Sequence, residues 1–450
     1  MAKRILVIGG LAAGPSAASK AKRTNAECDV VLFEQGEHTS YGICEIPYSI
    51  GGAVEEAKLV SYTPQQLREK KGIDVRTLHR VEGILPTKRK IVVRDLTQGR
   101  TVEEPYDKLI VATGSRPKRL GVEHEDARNV FTVKSLDDGI KIRRFLEMEK
   151  PQRAVIIGCG YIGVEMAEAL RTRNLDVTVL HLHDLPMNGL EREARQQVLD
   201  ELRKHDVQFT SEVTTEGFVL DKQHKVSHVV TNRGTYETDI VIVALGVVPN
   251  SDLAKSAGIR LGASGGIITD QRQQTNLDNI YAAGDCCEVK NIVNNAFMFI
   301  PLATLASKQG WVAGENAAGG KAVFRGALRS IAVKVFDLEV ARVGLSSEEA
   351  ERSGFHVATE IISAWSKVAI MPKSSRLWIK TIVDKRSRRL LGVNIIGKEG
   401  AVLRANTFAV GIQHKITMDE MRHWDLTYSP PFSPLWDPVL VAANASAKKL

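Results

Sequence analysis

Residues 153–163 read Arg153-Ala154-Val155-Ile156-Ile157-Gly158-Cys159-Gly160-Tyr161-Ile162-Gly163, an apolar β-type run that breaks into a glycine turn and then a helical stretch through about residue 173. The G-x-G-x-x-G spacing allows a tight turn at the first glycine, close approach of a pyrophosphate at the second and close helix packing at the third. The free N–H groups and dipole of the following helix favour the negative charge brought there. A second β-run, Asp176 to Leu180, completes a βαβ unit.

The same arrangement stands at the N-terminus: an apolar run over 4–8, the turn Gly9-Gly10-Leu11-Ala12-Ala13-Gly14, a helical stretch from about 15 to 24 and a β-run from Asp29 to Phe33. Leu11 takes the middle glycine position. Glu34 closes the second run where a carboxylate accepts hydrogen bonds from ribose hydroxyls. In the later unit that position is His181, followed by Leu182 and His183, with no acid to repel a 2′-phosphate. NADPH is therefore slightly favoured over NADH. Two further apolar runs end in glycine, Leu109 to Thr113-Gly114 and Ile240 to Gly246. A third, Ile280-Tyr-Ala-Ala-Gly284-Asp285, offers a carboxylate to a ribityl hydroxyl.

From about residue 326 no glycine fingerprint occurs. The runs Ile331 to Val335, Leu377 to Val383 and Leu390 to Ile396, with a helical stretch around 400–413, predict a mixed sheet with helices. Tyr428-Ser-Pro-Pro-Phe432 is extended or turned by the proline rules. The fold class predicted is α/β: two Rossmann-like dinucleotide-binding domains and a C-terminal α+β domain; the family resemblance set out below implies FAD in the first, NAD(P)H in the second and dimerisation by the third. The expected boundaries are 1–117 with 270–322 for FAD, 118–269 for NAD(P)H and 323–450 for the last domain.

Of 450 residues 43% are hydrophobic and 25% charged, and no run of eighteen apolar residues exists, which excludes a membrane-spanning role. Met-Ala-Lys-Arg leads straight into the first β-run without a signal-peptide pattern, so a cytoplasmic protein is expected. Cysteines 28, 44, 159, 286 and 287 form no C-x-x-C pair, against both a disulfide framework and a zinc site, so no metal is expected. The net charge of +8 is spread along the chain, as on a solvated surface or around a polyanionic small ligand, and not in the dense run expected of a nucleic-acid binder.

Cys44 lies in Ser40-Tyr-Gly-Ile-Cys44-Glu-Ile-Pro47-Tyr48, ten residues beyond Glu34. If the first unit holds FAD, this segment runs on past the cofactor and starts a helix that carries the thiol to the flavin. A helix N-terminus and nearby cations would lower the thiol pKa, whereas the Glu45 carboxylate would raise it.

These residues resemble the two-dinucleotide-binding-domain flavoproteins, and among them the coenzyme A disulfide reductases and related NAD(P)H oxidases. The resemblance spans the Gly9 turn, Glu34, the Ser40-to-Tyr48 segment, Thr113-Gly114, the Gly158 turn, Gly284-Asp285 and Tyr428-Ser-Pro-Pro-Phe432. It implies that Cys44 attacks a disulfide and holds coenzyme A as a mixed disulfide, which reduced flavin then breaks. It further implies coenzyme A contacts at Lys20, Arg23, Ser40 and Lys71, a tyrosine given by the partner of a homodimer at Tyr428, and Glu165 near nicotinamide and flavin. The nucleotide contacts carried over are Gly9, Gly10, Ala13, Gly14, Glu34, Thr113, Gly114, Gly284 and Asp285 for FAD, and Gly158, Gly160, Tyr161, Ile162, Gly163, His181 and Gly246 for NAD(P)H.

The chain departs from the family pattern in several places. Ile370-Met371-Pro372 stands where a second tyrosine is expected, Ile43 replaces an asparagine and Glu45 a small residue. Ala12 stands where peroxide- and oxygen-reducing relatives carry a histidine. No rhodanese extension is expected. The resemblance implies a coenzyme A-type disulfide as acceptor; these departures leave it open, with oxygen, a persulfide or another disulfide as the alternatives. A redox sensor binding a macromolecule is the distant alternative.

Overall fold

The computed structural model describes residues 2–450. The first glycine turn joins Arg4–Ile8 to the helix Ala13–Thr24, and Asp29–Phe33 follows. Arg4–Ile8 lies in the middle of a five-stranded parallel sheet, with Asp29–Phe33 and Asp74–Arg76 on one side and Lys108–Val111 and Ile280–Ala282 on the other. Chain order reverses at Arg4–Ile8, which opens a crevice at its carboxyl end, directly over the turn.

The second unit repeats this plan. Arg153–Ile157 pairs in parallel with Asp176–Leu180 and Ile240–Val243, and Gln208–Thr210 and Val130–Phe131 close the sheet. After a leading arginine the central strands Arg4–Ile8 and Arg153–Ile157 are apolar and buried, because helices and loops cover both faces. Each sheet carries a three-stranded antiparallel excursion, over 79–105 and 215–237, with no counterpart among the sequence expectations.

Gly114 and Gly246, at φ +70° and +87°, end strands in the two units and start the short antiparallel pair Ser115–Pro117 with Val247–Pro249. The Thr113 hydroxyl donates to Asn250 O at 2.6 Å and the Asn250 amide to Thr113 O at 3.1 Å. The two glycine-ended runs are thus the points where the chain passes between the dinucleotide units.

The C-terminal part is a five-stranded antiparallel sheet in the order Ile331–Val335, Leu338–Gly344, Leu390–Gly397, Arg376–Asp384, Val357–Trp365. Helices Ala401–Gln413 and Pro438–Lys449 pack on the sheet. Lys380 reaches out of this sheet to Glu191 at 2.8 Å and Glu193 at 2.9 Å, tying it to the second unit. No described helix is long and apolar enough to cross a membrane.

Candidate functional site

Both glycine turns have the features of a pyrophosphate cradle. Gly9 and Gly158 sit at φ +111° and +102°, where a Cβ would strike the carbonyls of Ala112 and Ala244. Gly14 and Gly163 leave no room for a Cβ against the carbonyls of Gly9 and Gly158, so each helix presses on its own turn. Around Gly160 nothing lies within 4 Å, which is the open space a phosphate needs. The helices Ala13–Thr24 and Tyr161–Thr172 have no side-chain cap and no acid in the first turn, so their leading N–H groups stay available to an anion. Ala13 and Gly14 are buried at the first helix start, and Ile162 packs against the core beside Gly163.

Glu34 accepts the Gly10 N–H at 2.6 Å and the Gly36 N–H at 2.8 Å, which fixes its carboxylate at the crevice edge. In the second unit His181 is buried, not on an exposed turn, and its Nδ1 accepts the Cys159 N–H at 3.2 Å. Burial holds the imidazole below its ordinary pKa, consistent with a neutral ring accepting at Nδ1. The Gly284 N–H donates to Gln309 Oε1 at 2.9 Å, and the Asp285 carboxylate accepts from Ser115 at 3.1 Å and faces Lys134 at 3.5 Å. A Cβ on Gly284 would collide with Ala13, so the Gly-Asp turn and the first glycine turn meet at one crevice. Among the described side chains the Ser40 hydroxyl is one of the few buried groups without a hydrogen-bond partner, and Ser40 itself sits at φ +53°. An orphaned donor and an uncapped helix end fit the polar groups of a flavin dinucleotide and its thiol substrate.

All five cysteines are free thiols, and Cys44 alone is exposed. It precedes the six-residue helix Ile46–Gly51, which packs on Tyr161–Thr172, where a Cβ on Gly51 would lie 3.3 Å from Ala169 Cα. Arg173 caps this short helix by donating to Ile50 O at 2.9 Å. The cations expected to depress the thiol are outweighed. Although exposed at its surface, the Cys44 thiol is pushed up, first by partial burial and then by Glu165 and Glu45, and Lys134 opposes them. Burial, with Glu168 adding, lifts the Glu165 carboxyl to about 7. Tyr48 is likewise pushed up to about 12, first by burial and then by Glu165. Sequence reading missed Lys134 and Tyr48. Tyr48 was visible four residues after Cys44, but nothing local marks Lys134.

Of the expected coenzyme A contacts, Lys20 is bound to Glu315 at 2.9 Å and lies over the Trp311 ring at 4.2 Å. Arg23 is exposed, and Lys71 stands 5.5 Å over the Tyr62 ring. A Cβ on Gly72 would lie 3.2 Å from Lys22 Cε, so the basic ends of helices 13–24 and 64–71 adjoin. Tyr428 is 49% exposed. Its segment meets the 366–375 loop through the Val368 N–H to Pro430 O bond at 3.3 Å, so Tyr428, Ile370 and Phe432 share one surface. Glu201, His205 and Asp337 are the one described trio of metal-ligand type, and the Lys204 ammonium bridges both carboxylates at 3.1 Å.

The chain matches the pyridine nucleotide-disulphide oxidoreductase description over residues 3–310 and the dimerisation domain of the same family over 330–438. It is 35% identical to the NAD(P)H coenzyme A polysulfide/persulfide reductase of Pyrococcus horikoshii, covering 99% of this chain and 98% of that protein. It is 31% identical to the coenzyme A disulfide reductase of Staphylococcus epidermidis over 96% of each chain. Among solved structures, reduced Bacillus anthracis CoADR-RHD superposes with a TM-score of 0.96 at 32% identity, over 100% of this chain and 80% of that one. With two dinucleotide cradles, an exposed thiol between them and a matching dimerisation sheet, the chain belongs to the pyridine nucleotide-disulphide oxidoreductases.

Proposed function

We propose that the protein reduces a low-molecular-weight disulfide of the coenzyme A type with electrons from NAD(P)H, through FAD and Cys44. The observation that carries this reading is that Cys44 is the one exposed cysteine and lies between the two nucleotide cradles, beside the helix that follows the Gly158 turn. Bound FAD supplies the chemistry that converts a hydride into an electron pair for sulfur. The Cys44 thiolate attacks the disulfide RS–SR, forming Cys44–S–SR and releasing one RS⁻. Two electrons then split the new S–S bond, returning Cys44 as thiolate and releasing the second RS⁻. With proton uptake the sum is RSSR + NAD(P)H + H⁺ → 2 RSH + NAD(P)⁺. Arg23 and Lys71 offer cations for the substrate phosphates, and the Ser40 hydroxyl offers a free donor at the crevice.

NADPH is the preferred donor in this reading, because no carboxylate stands at position 181 to oppose a 2′-phosphate. The working unit is a homodimer in which Tyr428 approaches the partner's thiol. The exposed Ile370, Tyr428, Phe432, Leu435 and Trp436 support this, since such a patch on a soluble chain calls for a covering surface. The name of the Pyrococcus relative favours a coenzyme A persulfide as a second acceptor for the same thiol.

Intact mass with and without reductant tests the proposal: a reductant-sensitive coenzyme A adduct is expected on Cys44. Cys44→Ser should lose disulfide turnover and keep flavin reduction by NAD(P)H. Retained turnover in that variant, or oxygen uptake equal to NAD(P)H consumption without stimulation by coenzyme A disulfide, rejects it.

A further inference from the structure

Segment 187–191 runs between the Gly158 turn and the C-terminal sheet and is tied to both. On the nucleotide side the Met187 N–H donates to Cys159 O at 2.8 Å, and Asn188 Oδ1 faces His181 Nε2 at 3.4 Å and accepts from Arg195 at 3.0 Å. On the sheet side Arg342 Nη1 donates to Gly189 O, and the Glu191 N–H donates to Asn394 Oδ1 at 3.0 Å. Arg342 and Asn394 stand opposite each other on the paired strands Leu338–Gly344 and Leu390–Gly397. Two neighbouring side chains of the sheet thus hold alternate residues of the segment.

The two sides meet at Gly189. A Cβ built there would lie 3.4 Å from Arg342 Nη1, 3.6 Å from Tyr161 Oη and 4.0 Å from Arg329 Nη2. Tyr161 opens the helix that follows the Gly158 turn, so its hydroxyl and two guanidinium groups converge on one backbone position. Glu349 fixes both arginines, its Oε1 taking Arg329 at 2.8 Å and its Oε2 taking Arg342 Nη2. Glu349 Oε2 also accepts the Ser346 N–H at 3.0 Å, at the start of helix Ser347–Arg352.

Arg342 is 1% exposed, and its Nε is a buried donor without a partner among the described residues. A buried guanidinium with an unmet N–H is a poor way to stabilise a sheet, where an apolar side chain of similar volume often does as well. What an apolar side chain cannot do is hold the Gly189 carbonyl.

We propose that Arg342 is a positioning residue for the nicotinamide nucleotide: from the C-terminal sheet it fixes Gly189, and through Gly189 and Met187 it fixes Tyr161 and Cys159 at the Gly158 turn. The inference rests on the reading of that turn as the NAD(P)H site. Affinity for the electron donor is then set in part by a residue 153 positions beyond the carbonyl it holds.

The test is titration calorimetry of the FAD-loaded protein with NADP⁺ and with NAD⁺, together with steady-state reduction of ferricyanide by NADPH or NADH. In Arg342→Met the Kd of the nucleotide and the KM of its reduced form should rise about tenfold, with kcat within about twofold of wild type. Arg342→Lys keeps an N–H for the Gly189 carbonyl and should recover most of the affinity, which a packing role would not give. Gly189→Val brings a branched side chain between Tyr161 and Arg342 without stranding a charge. It should weaken the nucleotide in the same way, and it decides the outcome if thermal melts show Arg342→Met to be unfolded. Wild-type nucleotide affinity in folded Arg342→Met or in Gly189→Val overturns the proposal, as does a lysine variant no better than the methionine one. Gly160→Glu puts a carboxylate into the open space at the turn. Wild-type affinity in that variant would instead overturn the reading of the turn as the donor site, so the two failures are distinguishable.

Discussion

His181 Nδ1 accepts the Cys159 N–H at 3.2 Å in the second unit, at the position where Glu34 accepts the Gly10 N–H at 2.6 Å in the first. The same job, steadying a glycine turn from the end of the next strand, is done once by an anion and once by a neutral ring. Only the anion forbids extra phosphate nearby.

His181→Asp should therefore move donor selectivity toward NADH, raising the ratio of kcat/KM for NADH over NADPH by about tenfold. Steady-state kinetics with both donors reads it. The wild type should also be acid-sensitive here. The folded pKa lies below the ordinary 6.5, so the stabilisation is complete above 6.5 and is lost as pH falls through the lower folded value. Thermal melts between about pH 7 and 5 should show this loss, and His181→Asn should flatten it.

Glu165 gives the opposite sign. Its carboxyl is raised from 4.5 to about 7, so its contribution is present below 4.5 and lost as pH rises through about 7. Glu165→Gln should be more stable than wild type at about pH 8, by roughly 1–3 kcal/mol, and nearly equal to it at about pH 5. Chemical denaturation at the two pH values checks this.

Lys380 and Glu191 form an ion pair with side chains only 10% and 5% exposed. Removing one member leaves the other charged in a dry place, which costs about 3 kcal/mol. Lys380→Met should show that loss in urea unfolding, and adding Glu191→Gln should recover part of it.

Phe432→Glu should put a charge into the apolar patch of Phe432, Leu435 and Trp436. Sedimentation should show dimer dissociation strengthened at least about a hundredfold, with disulfide turnover falling in step.

The parallel strands were legible in sequence because both faces are covered: Ile5 to Ile8 and Val155 to Ile157 are unbroken apolar runs ended by glycines at positive φ. The strand Val357–Trp365 was not, since it lies at a sheet edge and its half-exposed residues carry no clean alternation. The Ala-rich helix Pro438–Lys449 shows its face only against the sheet. At the site, Cys44, Glu34 and Asp285 were readable because each sits in a short motif. Lys134 was not, because its partner Asp285 is 151 residues away and only folding joins them. The same limit explains the thiol: Glu45 was visible as a neighbour, but Glu165 acts from another unit.

The seam where Gly51 meets Ala169 leaves almost no side chain between the cysteine helix and the nicotinamide-side helix, and Arg173 bolts its end to Ile50. Mutation therefore has little to work on there. What remains free to drift is the exposed position beside the thiol, Glu45. A chain built this way can change the sulfur compound it accepts over evolutionary time while the distance its electrons must travel is inherited unaltered.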